Sequence, residues 1–90
     1  MALQLFCTNF VEDFVRFRPA FDADLPRART AGLDLVALWR DADRANAVHF
    51  LFEVEDRARA EAFMASPESA VSGLRAGVTG GDYHWLETVD

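Results

Sequence analysis

The stretch Val11-Glu12-Asp13 follows an apolar, strand-like run, and Val54-Glu55-Asp56 repeats it in the second half of the chain. The segment after the first copy closes with Ala31-Gly32, and the segment after the second closes with Ala76-Gly77. Each half therefore has the order strand, acidic helix start, helix, Ala-Gly stop and strand, with each glycine as the left-handed residue that ends its helix. Two βαβ halves predict one α+β domain over residues 1–90, with a ferredoxin-like βαββαβ fold. In this fold, two helices cover one face of a four-stranded antiparallel sheet.

Apolar periodicity and cap residues predict where the elements begin and end. Strands are predicted near residues 2–10, 33–40, 47–54 and 83–89. The first helix contains Pro19 and Pro26, each of which removes a backbone donor, so we expect a kink or a break near one of them. The second helix begins at Asp56, and Ser66-Pro67 is typical of a fresh helix start. Gly80-Gly81 indicates a flexible turn before the last strand.

The chain carries more apolar side chains than one small core can bury. Hydrophobic residues make up 51% of it, including eight Phe and two Trp, whereas a domain of this size buries only about 60% of the surface that its unfolded chain exposes. In the second strand, strict alternation places Leu35, Ala37 and Trp39 on one face and Val36 and Leu38 on the other. Both faces are then apolar, and we expect a second copy to cover the face without helices. The predicted assembly is a homodimer through the sheet faces.

Charge and cysteine content exclude several classes of protein. The net charge is −6 and the positive charges are scattered, so the basic stripe that nucleic-acid binding requires is missing. No apolar run reaches the roughly 20 residues that span a bilayer, and no leader is recognisable, so the expected compartment is the cytoplasm. The single cysteine, Cys7, excludes an intramolecular disulfide and a cysteine-based metal cluster.

Residues that suit helix caps, turns and core packing follow one another along the chain in this order: Val11-Glu12-Asp13-Phe14, Phe21-Asp22, Ala31-Gly32, Arg40-Asp41, Asn46, Phe52-Glu53, Phe63, Ser66-Pro67-Glu68 and Ala76-Gly77-Val78. This order resembles a group of small, largely uncharacterised bacterial proteins of the dimeric α/β-barrel superfamily, which includes the antibiotic-biosynthesis monooxygenases. The resemblance implies that two ferredoxin-like sheets pack face to face in a dimeric α/β barrel. Heme-degrading relatives use an Asn, a Trp and a His; Asn9 and Trp39 suggest that set, but the second helix has no His. We therefore expect no heme and no other cofactor.

The two histidines are the candidate titrating groups near neutral pH. In a split βαβ sheet, His49 and His84 lie on the strands that flank the first strand, roughly 10 Å apart. That separation is too large for joint coordination, and no metal site is predicted. Glu53 shares a face with His49, so the two are a candidate acid/base pair. The alternatives, which are favoured, are a hydrogen-bonded histidine at a sheet face or dimer seam and a salt bridge or hydrogen bond of Glu53, for instance to Arg40.

Aromatic side chains indicate where a ligand could bind. Phe6, Trp39, Tyr83 and Trp85, with His84 beside them, are the predicted lining of a pocket between helices and sheet that suits a flat apolar ligand. Simple core packing is the competing and favoured interpretation of the same residues. Two functions follow: a binding or accessory dimer with a modest apolar pocket and no chemistry of its own, or a cofactor-independent monooxygenase, isomerase or cyclase acting on an apolar aromatic substrate. The first is favoured because no motif places a pair of catalytic groups.

Overall fold

Strands and helices alternate along the chain in the predicted βαββαβ order. The computed structural model describes residues 2–90. The elements are β1 (Leu3–Val11), α1 (Phe14–Thr30), β2 (Leu33–Arg40), β3 (Ala47–Val54), α2 (Arg57–Met64), α3 (Pro67–Arg75) and β4 (Val78–Glu87). The second helical segment is therefore divided in two, as the fresh start at Ser66 indicated. No helix within residues 2–90 is both long and apolar enough to cross a membrane.

The four strands form one antiparallel sheet in the order β2-β3-β1-β4. This is the ferredoxin-like arrangement, and the fold prediction is confirmed. Alternate residues of β1 and β3 face the helices because successive strand side chains point to opposite sides of a sheet. The core between sheet and helices includes Leu5, Val48 and Phe17, each no more than 1% exposed. The apolar stripe of the first helix, which includes Phe17 and Ala28, packs into it.

Side-chain oxygens cap the beginning of each helix. Asp13 accepts a backbone N–H bond at the start of α1, and Asp56 accepts two at the start of α2. Ser66 caps α3, with Pro67 in the first helical turn. These bonds satisfy backbone donors that a helix leaves free at its beginning. Each cap lies where the sequence predicted it.

The first helix has no break at its prolines, so that part of the prediction was wrong. It runs without interruption from Phe14 to Thr30 through both Pro19 and Pro26. Each proline leaves the carbonyl four residues earlier, that of Val15 or of Asp22, without its helical donor. Val15, Asp22 and both prolines are exposed, so water can bond the freed carbonyls. The helix therefore tolerates both prolines on its solvent face.

The last strand begins earlier than predicted. β4 starts at Val78, and Gly80-Gly81 lies inside it, opposite Phe10 and Asn9 of β1 and next to a register shift. A Cβ on Gly81 would collide with the carbonyl oxygen of Thr8. The glycine pair thus allows two backbones to approach closely beside a bulge, and the turn prediction was wrong.

A second irregularity rearranges the faces of β2. The register shifts between Leu35, which pairs with Phe52, and Ala37, which pairs with Leu51. Leu35 faces the helices, whereas Ala37 and Trp39 face the opposite side of the sheet. The predicted shared face for these three residues was wrong, because the extra residue at a bulge reverses the alternation.

The face of the sheet opposite the helices is apolar, and no helix or strand within residues 2–90 covers it. We call it the open face. Its residues include Phe6, Phe10, Trp39, Leu51 and Leu86. Trp39 is 47% exposed and Leu86 is 42% exposed. Apolar side chains on both faces of the sheet were expected, and the structure places them there.

Candidate functional site

A cavity of about 240 Å³ lies between the sheet and the helices. Most of its lining is apolar and comes from both layers: Leu5, Cys7, Phe50 and Phe52 from the sheet, and Phe17, Phe21, Leu25, Phe63 and Met64 from the helices. Small residues on α1 and α3 leave this space open, because Ala20, Ala28 and Gly73 carry no side chain long enough to fill it. A cavity with such walls suits a small apolar molecule.

Cys7 lines this cavity as a protonated thiol. Burial raises the pKa of Cys7 to about 12, and the negative charge of Asp82 adds to the rise. A nucleophilic cysteine needs a lowered pKa instead. Cys7 is therefore a small apolar wall residue.

A cluster of three side chains from α1 and α3 lies beside the cavity: Asp24 and Ser72 line it, and Arg27 hydrogen-bonds to both. The Arg27 Nη1 donates to Asp24 Oδ1 at 2.7 Å and to Ser72 Oγ at 3.2 Å. The Ser72 hydroxyl in turn donates to the same Asp24 oxygen at 3.2 Å. The Arg27 guanidinium also lies 5.1 Å from the centre of the Phe63 ring. This cluster was not predicted from the sequence, where the available signal was the pair Asp24 and Arg27, one helical turn apart beside the apolar stripe.

His49 lies on the open face, on the other side of the sheet from the cavity. Its Nε2 is 2.8 Å from Asp41 Oδ2, and its Nδ1 is 2.9 Å from Thr8 Oγ1. The ring stacks on Phe6 with the centroids 6.0 Å apart. These contacts fit an imidazole that donates through Nε2–H to Asp41 and accepts the Thr8 hydroxyl proton at Nδ1. The open face thus holds the histidine by two hydrogen bonds and one stacking contact.

Asp41 is the partner that the sequence analysis did not identify. Its Oδ1 accepts the backbone N–H groups of Asp43 and Arg44 at the turn between β2 and β3. The hydrogen bond from His49 and those backbone bonds lower the pKa of Asp41. Because β2 and β3 form a hairpin, the residue just after β2 lies beside the start of β3. A hairpin prediction that included side-chain pairs across the turn could have found Asp41.

Glu53 shares the open face with His49 but does not pair with it. Its carboxylate accepts a bond of 3.1 Å from Gln4 Nε2 and is exposed. Arg40, a suggested partner of Glu53, lies elsewhere, with its guanidinium 4.9 Å from the centre of the Phe14 ring of α1. The side chain that hydrogen-bonds His49 is Asp41, and the expected pairing of His49 with Glu53 was wrong.

The predicted aromatic pocket divides between the two faces of the sheet. Phe6, Trp39 and His84 lie on the open face, where the rings of Phe6 and Trp39 are 6.2 Å apart. Tyr83 and Trp85 lie on the helix side, with their rings 6.3 Å apart. The register shift in β2 moves Trp39 away from the helices. A single pocket from these five residues does not form, and other aromatic side chains line the cavity.

Metal ligands do not converge in the part of the chain that the structure describes. Among residues 2–90, no group of three or more His, Cys, Asp or Glu side chains is arranged to hold a metal ion. His49 and His84 lie on strands on either side of β1, as predicted, where His49 is opposite Thr8 and His84 is opposite Phe6.

The fold places the chain in a known structural class. The four-stranded antiparallel sheet with helices on one face is shared with solved structures of antibiotic biosynthesis monooxygenase-like proteins, so the ferredoxin-like fold that the sequence resemblance implied is confirmed. No protein-family model matches the sequence, and a search of curated proteins finds no match. Solved structures do match over nearly the full length.

Three of these structures are representative. A Bordetella bronchiseptica protein assigned to the antibiotic biosynthesis monooxygenases has a TM-score of 0.81 and 16% identity, covering 98% of this chain and 97% of that chain. SnoaB of Streptomyces nogalater, a cofactor-independent oxygenase, has a TM-score of 0.76 and 12% identity, covering 99% and 94%. Rv0793 of Mycobacterium tuberculosis has a TM-score of 0.71 and 16% identity, covering 100% and 97%. At these identities the likeness shows the fold.

Proposed function

We propose that this protein binds a small apolar ligand, with an aromatic ring of one or two fused cycles, in the helix-side cavity. The cavity itself carries the proposal. An engineered apolar cavity of about 150 Å³ binds benzene, and this one measures about 240 Å³. Its aromatic walls, such as Phe17, Phe50 and Phe63, favour offset or edge-on contacts with a flat ring.

The chemistry of the lining favours binding over catalysis. Cys7 is protonated, and the Ser69 hydroxyl donates to the carbonyl of Phe63 at 2.6 Å. Asp24 is held by Arg27 and Ser72. None of these groups has the partner that would make it a nucleophile. A ligand in this cavity would be held mainly by shape complementarity and van der Waals contacts, with polar contacts only at the end where Asp24 lies.

We also propose that the protein is a homodimer through its open face. Trp39 and Leu86 lie exposed on that face beside Phe6 and Leu51. An obligate dimer interface buries on the order of 2,000 Å² or more in total, or about 1,000 Å² from each chain, which is roughly a fifth of the 5581 Å² that each chain exposes. His49 and Asp41 would then lie at the dimer seam. Sedimentation of a stable monomer at micromolar concentration would contradict the dimer.

A second candidate function is cofactor-independent oxygenation of an apolar aromatic substrate. The fold that the chain shares with SnoaB, a cofactor-independent oxygenase, favours it. In such a reaction the substrate supplies the electrons, and the protein supplies an enclosed apolar site and a base. His49 cannot serve a substrate in the cavity, because it lies on the opposite face of the sheet. Asp24, at the edge of the cavity, is the carboxylate available there.

Titration with naphthalene, followed by calorimetry and by the melting temperature, tests the binding proposal. We expect binding to the wild type and strong weakening in Ala20→Leu, which places a larger side chain into the cavity wall. Ala62→Leu, on the exposed side of α2, is the matched control and should bind as the wild type does. Equal affinity of all three proteins would contradict the cavity as the site.

Oxygen consumption with an electron-rich substrate, 1,4-dihydroxynaphthalene, separates the two functions. A binding protein leaves the spontaneous rate of oxygen uptake unchanged at stoichiometric concentration. An oxygenase raises the rate catalytically, and Asp24→Asn then lowers it while naphthalene still binds.

A further inference from the structure

A groove of about 560 Å³ runs along the outside of the helix layer, between α1 and α3. It shares three lining residues with the helix-side cavity, namely Ala20, Asp24 and Ser72. These three residues therefore border both spaces, which differ in the chemistry of their walls. The inner space has apolar walls, whereas the outer groove contains the charged side chains of Arg27, Glu68 and Arg75 as well as Asp24.

Arg27 is the side chain best placed to bind a ligand group in this groove. Its Nη1 is fixed by Asp24 and Ser72, and its guanidinium lies over Phe63, which lines the inner cavity. Within residues 2–90, its Nε and Nη2 donate no hydrogen bond, and the side chain is 40% exposed. When Nη1 is held, the Nε–H and Nη2–H groups on the other edge of the guanidinium point in parallel and can both donate to one carboxylate.

The other charges of the groove leave one cation without a partner. Asp24 is already paired with Arg27. Among the residues that the structure describes, the Arg75 side chain forms no ion pair, and its position in the last turn of α3 is exposed. Glu68 lies in the first turn of the same helix, where the helix dipole compensates its charge. Arg27 and Arg75 are therefore the groups in the groove that can receive an anion.

We propose that the ligand is an aromatic carboxylate of one or two fused rings, with its apolar body in the cavity and its carboxylate on Arg27 in the groove. Arg75 adds a second positive charge on the α3 side. This inference rests on the proposed function, because it takes the cavity as the binding site. The protein carries a net charge of −6, so its overall field repels anions, and a preference for a carboxylate must come from this local pair of arginines.

Calorimetric titration with four naphthyl compounds at pH 7 tests the inference. Naphthalene probes the cavity alone, 2-naphthoic acid adds the carboxylate, 2-naphthamide is its uncharged isostere, and 2-naphthylmethylamine carries the opposite charge. We expect the acid to bind about tenfold tighter than the amide, as a charge-assisted hydrogen bond provides, and the amine to bind most weakly.

Three variants assign the preference to its residues. In Arg27→Gln the acid and the amide should bind equally, whereas Arg29→Gln, an exposed arginine of the same helix turn, should keep the tenfold difference. Asp24→Asn removes the carboxylate that competes for Arg27 and should tighten binding of the acid several-fold. Near-ultraviolet circular dichroism confirms that each variant is folded.

The possible outcomes separate the two proposals. If naphthalene binds and the wild type does not distinguish the acid from the amide, the carboxylate inference is wrong and the proposed function stands. A preference that survives in Arg27→Gln also overturns the inference, because another group must then hold the anion. If no naphthyl compound binds, the proposed function fails and the inference fails with it.

Discussion

Replacing Gly32 or Gly77 with alanine should lower the free energy of unfolding, whereas replacing Gly73 with alanine should raise it. Gly32 and Gly77 adopt φ values of +83° and +78°, as the Ala-Gly stops predicted, whereas Gly73 lies inside α3. An alanine in the left-handed region costs roughly 1–2 kcal/mol. In a helix interior, by contrast, alanine gains about 0.5–1 kcal/mol over glycine.

The contacts of a new Cβ predict different losses of stability at the two left-handed positions. At Gly77 a new Cβ would lie 3.5 Å from the Arg16 guanidinium, which is ordinary contact. At Gly32 it would lie 3.1 Å from the Cβ of Glu55, close enough that the neighbour must move. We therefore expect a loss of about 1–2 kcal/mol for Gly77→Ala and about 2–3 kcal/mol for Gly32→Ala. At Gly73 no atom other than the Val78 Cβ, at 4.0 Å, lies near, so Gly73→Ala should stabilise the protein.

Urea unfolding at one fixed protein concentration measures these differences, because oligomer stability depends on concentration. For a domain of this size, 1 kcal/mol corresponds to about 4–8 °C in the melting temperature. Gly32→Asn is the control, since asparagine tolerates the left-handed region and should lose less stability than alanine does. A neutral Gly32→Ala, or a destabilising Gly73→Ala, would refute the reasoning.

Three further predictions concern side chains on both faces of the sheet. Hydrogen bonds lower the pKa of Asp41 in the folded state. Its contribution to stability is therefore present above its unfolded pKa of about 4 and is lost as the pH falls through the lower folded value. Acid titration of Asp41→Asn should show a smaller loss of stability below pH ~4 than the wild type, and an identical loss would contradict this. His49→Ala leaves Asp41 and Thr8 without their partner, so differential scanning calorimetry should give a lower melting temperature while naphthalene affinity is unchanged; weaker naphthalene binding would mean that His49 acts on the ligand. The Cys7 thiol, with its pKa raised to about 12, should react with Ellman's reagent at pH 8 only as fast as the protein unfolds, and rapid reaction of the folded protein would show an accessible thiolate.

Features that depend on neighbouring residues could be predicted from the sequence. The caps Asp13 and Asp56 and the stops Gly32 and Gly77 act within one helical turn, so their residue type fixes their role. The order of the elements follows from these signals together with the apolar runs. The topology then follows from the small number of ways in which two βαβ halves share one sheet.

The candidate site depends on contacts that the sequence does not place. The bulge in β2 moves Trp39 to the open face, and nothing in the run Leu33–Arg40 marks its position. Arg27 contacts Ser72 through the packing of α1 on α3, between residues far apart in the chain. His49 contacts Asp41 through the geometry of a hairpin turn. Such pairs appear only once the register of the sheet and the packing of the helices are known.

A crystal structure of the naphthalene complex would show whether the ligand occupies the helix-side cavity. If the helix-side cavity is the binding site, the ring will lie between α1, α3 and the sheet, in contact with Phe17, Phe50 and Phe63. The cavity will then be filled, and Trp39 on the open face will make no contact with the ligand. Naphthalene bound against Trp39 or Phe6, with the helix-side cavity empty, would contradict the account.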